Sequence, residues 1–153
     1  MKRTTDLRDQ GIALLRIVVG GIFVAHGAQK LFGYGIPGVA GMLGQIGVPL
    51  PTLSAVAVTS AEFLGGLALV AGFGTRLAAL PLAFSMAVPA VTVHLKAGFF
   101  LPGGVEYVLA LFAASVALAL TGSGAFSIDR LLARRALPSE AEERRVAQPV
   151  EVR

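Results

Sequence analysis

The chain contains no cysteine among its 153 residues. This absence excludes disulfides, thiol catalysis, CxxC redox chemistry and cysteine-ligated zinc or iron–sulfur centres within the chain. Charged residues are also scarce, at 14% against about 25% in an ordinary soluble domain. Only six of them lie between Gln10 and Ala125: Arg16, Lys30, Glu62, Arg76, Lys96 and Glu106. With 55% hydrophobic residues, the composition excludes a disordered body, disfavours a soluble domain and indicates an integral membrane protein.

Nucleic-acid binding and a cleaved signal peptide are also disfavoured. The net charge is only +4, and the basic residues sit near the chain ends rather than along one face. The first apolar run begins near Gly11, continues for about 22 residues and lacks an AxA-type cleavage site. We therefore expect this run to remain in the protein as a helix.

The chain has four apolar segments that are long enough to cross a membrane, which requires about 20 residues. They lie at about residues 11–32, 53–72, 77–95 and 105–120. Their length and the lack of two-residue alternation predict helices rather than barrel strands. We therefore expect an all-α fold, an integral-membrane antiparallel four-helix bundle over residues 11–124. Residues 1–10 would form a cytoplasmic N-terminal segment, and a short interfacial helix is expected around Val39–Ile46.

The character of the sequence changes after Gly124. Residues 125–136 combine an apolar face with a basic one, which predicts a short cytoplasmic amphipathic helix on the inner leaflet. Its arginines are expected to contact anionic lipid: Arg130, Arg134 and Arg135. A short solvated helix without a lipid role remains the alternative. Residues 137–153 are polar and mixed in charge, which predicts a disordered cytoplasmic tail.

Lysine and arginine residues near the span ends predict the orientation in the membrane. If both termini lie on the same side of the membrane, the opposite side carries two basic residues, Lys30 and Lys96. Seven others share the side of the termini: Lys2, Arg3, Arg8, Arg76, Arg130, Arg134 and Arg135. This asymmetry predicts that both termini lie in the cytoplasm.

Small residues and prolines predict how the spans pack. Lipid tails match leucine in polarity, so helices associate through close packing at small residues and through polar contacts. Small residues on three spans are therefore expected to face the bundle: Gly20 and Gly27 in the first, Ala57, Ala61 and Gly65 in the second, and the pairs Ala110–Ala114 and Ala113–Ala117 in the fourth. Pro89 removes a backbone hydrogen bond in the third span, and a kink there would open a small cavity toward the neighbouring helices.

Ionisable residues within or beside the spans are the candidates for a functional site, because charges in a bilayer normally face the protein interior and pair. We predict a buried ion pair between Arg16 and Glu62 that joins the first two spans. Five residues are expected to converge in the outer half of the bundle: His26, Lys30, His94, Lys96 and Glu106. Gln29, Thr92 and Tyr107 are expected nearby as hydrogen-bond donors. The candidates for ligand binding and proton handling are Arg16, His26, Lys30, Glu62, His94 and Glu106.

Two histidines and two carboxylates in one small bundle would suit proton transfer to a quinone oxygen, or binding of a small anionic or carbonyl-bearing ligand. Helix clamping and interfacial anchoring by the same side chains remain alternatives. No metal site is expected, because the ExxH pairs of di-iron bundles are lacking. A transporter is disfavoured because the sequence shows neither an inverted repeat nor a pair of broken helices.

Five runs of the sequence occur in a characteristic order: LLRIVVGGIFVAHGAQKLFG, GVAGMLGQIGVPLP, AEFLGGLALVAGFGTRLAAL, TVHLKAGFFLPGGVEY and GAFSIDRLL. Together they resemble the DoxX family over about residues 14–132. The resemblance implies a four-helix bacterial or archaeal inner-membrane protein. Relatives are associated with a thiosulfate:quinone oxidoreductase, membrane redox complexes and oxidative-stress defence, and the enzymatic activity itself is not expected to follow from the resemblance. The resemblance also implies that eight positions match the family pattern: Arg16, His26, Gly27, Lys30, Glu62, Arg76, His94 and Glu106.

From these observations we expect a multi-pass membrane subunit of a redox system, linked to quinones or to sulfur or oxidative stress. A buried Arg/His/Glu pocket would bind a small lipid-soluble ligand. No cofactor is expected within the chain itself, and a quinone is the candidate ligand. The sequence leaves open whether the protein is an enzyme, and a non-catalytic assembly or scaffold protein is the alternative. Membrane lipids and a redox protein are the expected partners, nucleic acid is not expected, and homo-oligomerisation is left open.

Overall fold

A computed structural model describes residues 2–136 of the chain and the side chains of residues 7–135. All regular secondary structure in the described part is helical, which confirms the predicted all-α class. Its α-helices are α1 (Lys2–Ala28), α2 (Gly35–Gln45), α3 (Pro51–Ala71), α4 (Thr75–Thr92), α5 (Glu106–Thr121) and α6 (Ile128–Ala136). A π-helical segment (Gln29–Tyr34) joins α1 to α2, and a 3-10 turn (His94–Ala97) follows α4. The predicted tail, residues 137–153, lies outside the described residues.

Three continuous helical segments are long and apolar enough to cross a membrane: Leu7–Gln45, Pro51–Ala71 and Thr75–Thr92. The fourth apolar helix, α5, is shorter at 16 residues. The outside of the bundle is apolar as well, since Leu14, Leu77 and Leu120 are 66%, 77% and 74% exposed. A surface of this kind fits hydrocarbon rather than water. The fold is therefore that of a helical membrane bundle.

The ends of two helices differ from the predicted spans. α1 begins at Lys2, well before the predicted start of the first span near Gly11. α4 ends at Thr92 rather than near residue 95, because Val93 leaves helical geometry at φ −119° and the next residues form the separate 3-10 turn. His94 therefore belongs to this turn and not to the third span.

The bundle is held together by a close contact between α1 and α3. Gly20 and Gly27 are both buried, and a Cβ atom at Gly27 would lie 2.5 Å from the backbone nitrogen of Phe63. A Cβ atom at Gly20 would lie 2.8 Å from the carbonyl oxygen of Gly66. The prediction that these two glycines face the bundle is confirmed.

The other helices complete the bundle around this contact. α3 also packs against α2 and α4, and α4 packs against α5. The core between the helices is formed by buried apolar side chains: Val19, Phe23, Leu69, Ala79, Leu82, Leu111 and Leu118. Ala110 and Ala113 are exposed, so the prediction is wrong for these two residues, whereas Ala61, Gly65, Ala114 and Ala117 are partly buried. α5 directs Leu111, Ser115 and Leu118 inward instead.

α6 folds back against the turn between α3 and α4. Asp129 accepts a hydrogen bond from the backbone nitrogen of Gly74 at 2.8 Å, while its own nitrogen donates to the carbonyl of Gly72 at 3.0 Å. One face of α6 leaves apolar residues exposed, including Leu131 at 59% and Leu132 at 48%. Its three arginines are also exposed: Arg130, Arg134 and Arg135. Their contact with anionic lipid stays a prediction.

Candidate functional site

A cavity of about 580 Å³, here named the ion-pair cavity, lies between the end of α1, α2, α3, α4 and the start of α5. Most of its wall is apolar. Its polar members are His26, Lys30, Ser54, Glu62, Ser85, His94 and Tyr107. Pro81 and Pro89 border it from α4. The cavity therefore lies beside Pro89, where the sequence predicts a small cavity.

Lys30 and Glu62 form an ion pair in the wall of this cavity. The Glu62 side chain is 2% exposed and the Lys30 side chain 24%, so the carboxylate is the more deeply buried partner. Lys30 belongs to the π-helical segment, and π-helical turns frequently occur at functional sites. The pair therefore joins the end of the first span to the middle of α3 with a charged contact that faces the cavity.

The predicted ion pair between Arg16 and Glu62 is wrong. The contacts of Gly20 with Gly66 and of Gly27 with Phe63 set the register of the antiparallel α1–α3 pair. In that register Arg16 lies against Gly72, which is ten residues, or about 15 Å of helix rise, from Glu62. Arg16 is therefore at the opposite end of α3 from the ion-pair cavity and does not line it.

Arg16 instead holds the segment that leads into α6. Arg16 is 2% exposed, and its Nη2 atom donates a hydrogen bond to the carbonyl oxygen of Phe126 at 2.6 Å. The guanidinium occupies the space beside Gly72, where a Cβ atom would overlap Nη1. Gly72 also has φ +69°, a left-handed conformation that favours glycine. Arg16 therefore connects α1 to the turn after α3, at Gly72, and to the segment before α6, at Phe126.

Gly72→Ala is expected to destabilise the protein more than Gly74→Ala. Both glycines have positive φ, so each alanine pays a backbone penalty of about 1–2 kcal/mol. Only Gly72→Ala would also displace Arg16, which should add about 1–3 kcal/mol. Unfolding free energies in detergent would measure the difference. Equal losses in the two variants would show that the packing of Arg16 against Gly72 adds nothing to stability.

His26 of α1 and Tyr107 of α5 lie next to each other in the cavity wall. The Tyr107 hydroxyl oxygen lies 3.4 Å from Nε2 of His26, at the long end of hydrogen-bond geometry, and the ring centroids are 6.4 Å apart. A phenol can donate to a neutral imidazole nitrogen and accept from a protonated one. The two side chains therefore form a polar couple that can hold or exchange a proton beside the ion pair.

His94 reaches the cavity from the 3-10 turn. Its Nδ1 atom lies 2.8 Å from the carbonyl oxygen of Gly103, which accepts a hydrogen bond. Because Nδ1 is the donor, Nε2 is the acceptor nitrogen of the neutral ring. Within residues 7–135, no three His, Asp or Glu side chains group closely enough to hold a metal ion. The arrangement favours hydrogen bonding and proton transfer.

Glu106 does not line the cavity. Its Oε1 atom accepts a hydrogen bond from the backbone nitrogen of Leu101 at 2.7 Å. Leu101 and Pro102 form part of the cavity wall, so Glu106 supports the segment that closes the cavity. The expectation that it faces a ligand is corrected, because the carboxylate turns back onto its own loop. Lys96 also lies outside the lining, exposed on the 3-10 turn.

The structure thus brings four of the six predicted site residues to one cavity: His26, Lys30, Glu62 and His94. The cavity also contains Tyr107, which the sequence predicts only as a nearby donor, and Ser54 and Ser85, which the sequence does not single out. Tyr107 and Leu111 line the cavity four residues apart, a helical spacing that could have placed the hydroxyl on the inner face of α5. The two serines carry no comparable signal, because serine is common in apolar helices.

Comparisons with known proteins agree with this architecture. The profile of the DoxX family matches residues 11–95. The chain is 35% identical over 119 residues to "Putative oxidoreductase CatD" of Bacillus subtilis, covering 78% of this chain and 84% of that protein. It is also 35% identical over 133 residues to "Inner membrane protein YqjF" of Escherichia coli, covering 84% and 97%. No solved structure gives a significant match. The chain therefore belongs to the DoxX family of membrane proteins.

Proposed function

We propose that the protein is a membrane subunit of a redox system and that its ion-pair cavity binds a quinone or a similar lipid-soluble carbonyl compound. The observation that carries the proposal is one cavity that combines a largely apolar wall with Lys30–Glu62, His26–Tyr107 and His94. The similarity to a protein named as a putative oxidoreductase supports a redox role. The lack of cysteine requires any thiol or sulfur chemistry to be supplied by another protein.

The size and lining of the cavity fit such a ligand. Its volume of about 580 Å³ lies within the usual range of about 300–1,000 Å³ for small-molecule sites. A quinone presents a flat apolar ring and two carbonyl oxygens that accept hydrogen bonds. Side chains such as Val58, Phe84 and Leu111 would contact the ring, and the Lys30 ammonium and the Tyr107 hydroxyl would donate to the oxygens. A bound quinone would supply two-electron, two-proton redox chemistry, with electrons from a partner protein.

Each polar group would have a distinct role. Glu62 holds the Lys30 ammonium in the cavity wall, so that its remaining N–H groups can donate to a carbonyl oxygen. The Tyr107 hydroxyl is a second donor, and His26 Nε2 can accept its proton. His94 Nε2 offers another acceptor, with the ring oriented by Gly103. The apolar wall would exclude water and strengthen these contacts.

Tyr107→Phe is expected to weaken binding of a short-chain ubiquinone about five- to tenfold, because one hydrogen bond of about 1–1.5 kcal/mol is lost. Binding would be measured by calorimetry on protein in lipid nanodiscs. The matched control is Tyr34→Phe, since Tyr34 is the only other tyrosine and does not line the cavity. The control should bind within twofold of the wild type. Unchanged binding by both Tyr107→Phe and His26→Gln would contradict the proposal.

A non-catalytic assembly protein is the second candidate. It is favoured by the contacts of Arg16 and Glu106, which both bond the backbone of neighbouring segments rather than facing a cavity. If the ion-pair cavity were only structural, the wild type would bind no quinone, and Tyr107→Phe and His26→Gln would lower the yield of folded protein without altering partner association. The calorimetric experiment therefore also discriminates between the two candidates.

The orientation belongs to the same proposal. We infer that the termini face the cytoplasm of the inner membrane, because seven basic residues flank the spans on that side and two on the other. The ion-pair cavity would then lie in the outer half of the bundle. Single cysteines introduced into the cysteine-free chain and labelled from either side of the membrane would check this assignment.

A further inference from the structure

A second cavity, here named the arginine pocket, lies at the other end of the bundle and has a volume of about 460 Å³. It is formed by the first turns of α1, the start of α4, the segment after α5 and α6. Arg8, Arg76 and Arg130 line it from three different helices. Arg8 and His26 are eighteen residues apart on α1, or about 27 Å of helix rise, so this pocket is distinct from the ion-pair cavity.

The charges around the arginine pocket favour an anion. Within residues 7–135, none of its three arginines forms an ion pair with a carboxylate. Two carboxylates also line the pocket, and both bond the backbone: Asp9 accepts from the Ala125 nitrogen at 3.3 Å, and Asp129 from the Gly74 nitrogen at 2.8 Å. Three guanidinium groups against two carboxylates give this lining a net charge of +1.

We propose that the arginine pocket binds the phosphate group of an anionic phospholipid. Guanidinium groups match phosphate oxygens with paired hydrogen bonds and are less strongly hydrated than ammonium groups. Arg76 is the second residue of the membrane-spanning helix α4, and Thr121 is the last residue of α5, so the pocket lies at the level of lipid headgroups. The exposed apolar residues Leu131 and Leu132 on α6 would contact the acyl chains.

The segment after α5 is shaped to leave this pocket open. Gly122 has φ +81°, and a Cβ atom there would lie 3.1 Å from Nε of Arg76. A larger residue would therefore press on the guanidinium as well as strain the backbone. Ser123 and Ala125, both small, complete this part of the lining. An inorganic phosphate could satisfy the arginines, but only a lipid also accounts for the apolar face beside them.

The experiment compares two double variants that remove the same charge. Arg76→Gln with Arg130→Gln alters the pocket. Arg134→Gln with Arg135→Gln alters exposed arginines of α6 that are predicted to contact lipid but lie outside the pocket, so this pair measures the weaker, unspecific attraction. Delipidated protein in detergent would be titrated with phosphatidylglycerol, phosphatidylcholine or inorganic phosphate, and occupancy read by native mass spectrometry. The pocket variant should bind phosphatidylglycerol at least about tenfold more weakly than the wild type, and the control less than threefold more weakly.

Three outcomes would overturn the proposal. Equal losses in both double variants would show diffuse attraction to basic residues instead of a pocket. Equal binding of phosphatidylcholine and phosphatidylglycerol by the wild type would show that the anionic headgroup is not recognised. Tight binding of inorganic phosphate without lipid preference would assign the pocket to a free anion. Circular dichroism of each variant would establish that helix content is unchanged, and the test does not depend on quinone binding.

Discussion

Replacing Gly27 with alanine is expected to lower the free energy of unfolding by about 1–3 kcal/mol. A Cβ atom at this position would lie 2.5 Å from the backbone nitrogen of Phe63 and 2.7 Å from its Cα atom. A flexible side chain could turn away from a new methyl group, but the backbone of α3 cannot. The two helices would have to separate or shift along each other.

Separation of α1 from α3 would also affect the ion-pair cavity. Lys30 follows Gly27 by less than one turn, and its partner Glu62 directly precedes Phe63. The residue that meets the new methyl group is therefore the chain neighbour of the buried carboxylate. We expect Gly27→Ala to weaken both ligand binding and the stability of the fold. A destabilising substitution far from the cavity would lower stability without changing ligand binding.

Gly21→Ala is the matched control on the same helix. Gly21 is exposed, and a Cβ atom there would meet no atom of the described chain within 4 Å. Alanine favours helix over glycine by about 1 kcal/mol, so this variant should be neutral or slightly more stable. SDS titration in mixed micelles, followed by circular dichroism, would measure both variants. Equal stability of the two would refute close packing at Gly27.

The sequence was sufficient to predict the membrane-spanning helices and the glycines at which one helix closely approaches another, because both features depend on local properties. Apolar length marks a membrane helix wherever it occurs, and a glycine such as Gly27 permits close approach whichever helix faces it. The partner of Glu62 depends instead on the register between two helices. The sequence predicts Arg16 as the partner of Glu62, but the observed register sets Arg16 opposite Gly72.

The remaining differences arise where the backbone leaves regular α-helix. The π-helical segment carries Lys30 into the cavity, and hydropathy does not distinguish it from the preceding α-helix. His94 lies on a 3-10 turn because α4 ends at Thr92. Glu106, the first residue of α5, turns toward the backbone of Leu101 in the preceding loop, a contact that no helical spacing encodes. Helical spacing therefore does not place these side chains near the helix ends, and within the spans it also misplaces Ala110 and Ala113.

Lys30→Met is expected to be more destabilising than Glu62→Gln, although each removes one member of the same ion pair. Loss of Lys30 leaves a carboxylate that is 2% exposed without its counter-charge, and breaking a buried pair in this way costs about 3–5 kcal/mol. Loss of the Glu62 charge leaves a lysine that is 24% exposed and has a flexible stem that can redirect its ammonium toward the interface. This second change should cost about 1–3 kcal/mol.

The double variant Lys30→Met with Glu62→Gln separates the structural role of the pair from its role in binding. With both charges removed, no buried charge is left alone, so the double variant should be more stable than Lys30→Met. Lys96→Met, at an exposed lysine outside the cavity, should change stability by less than about 0.5 kcal/mol. SDS titration would measure all four proteins. A double variant no more stable than Lys30→Met would contradict the pairing, whereas regained stability without regained quinone binding would mean that the ammonium itself contacts the ligand.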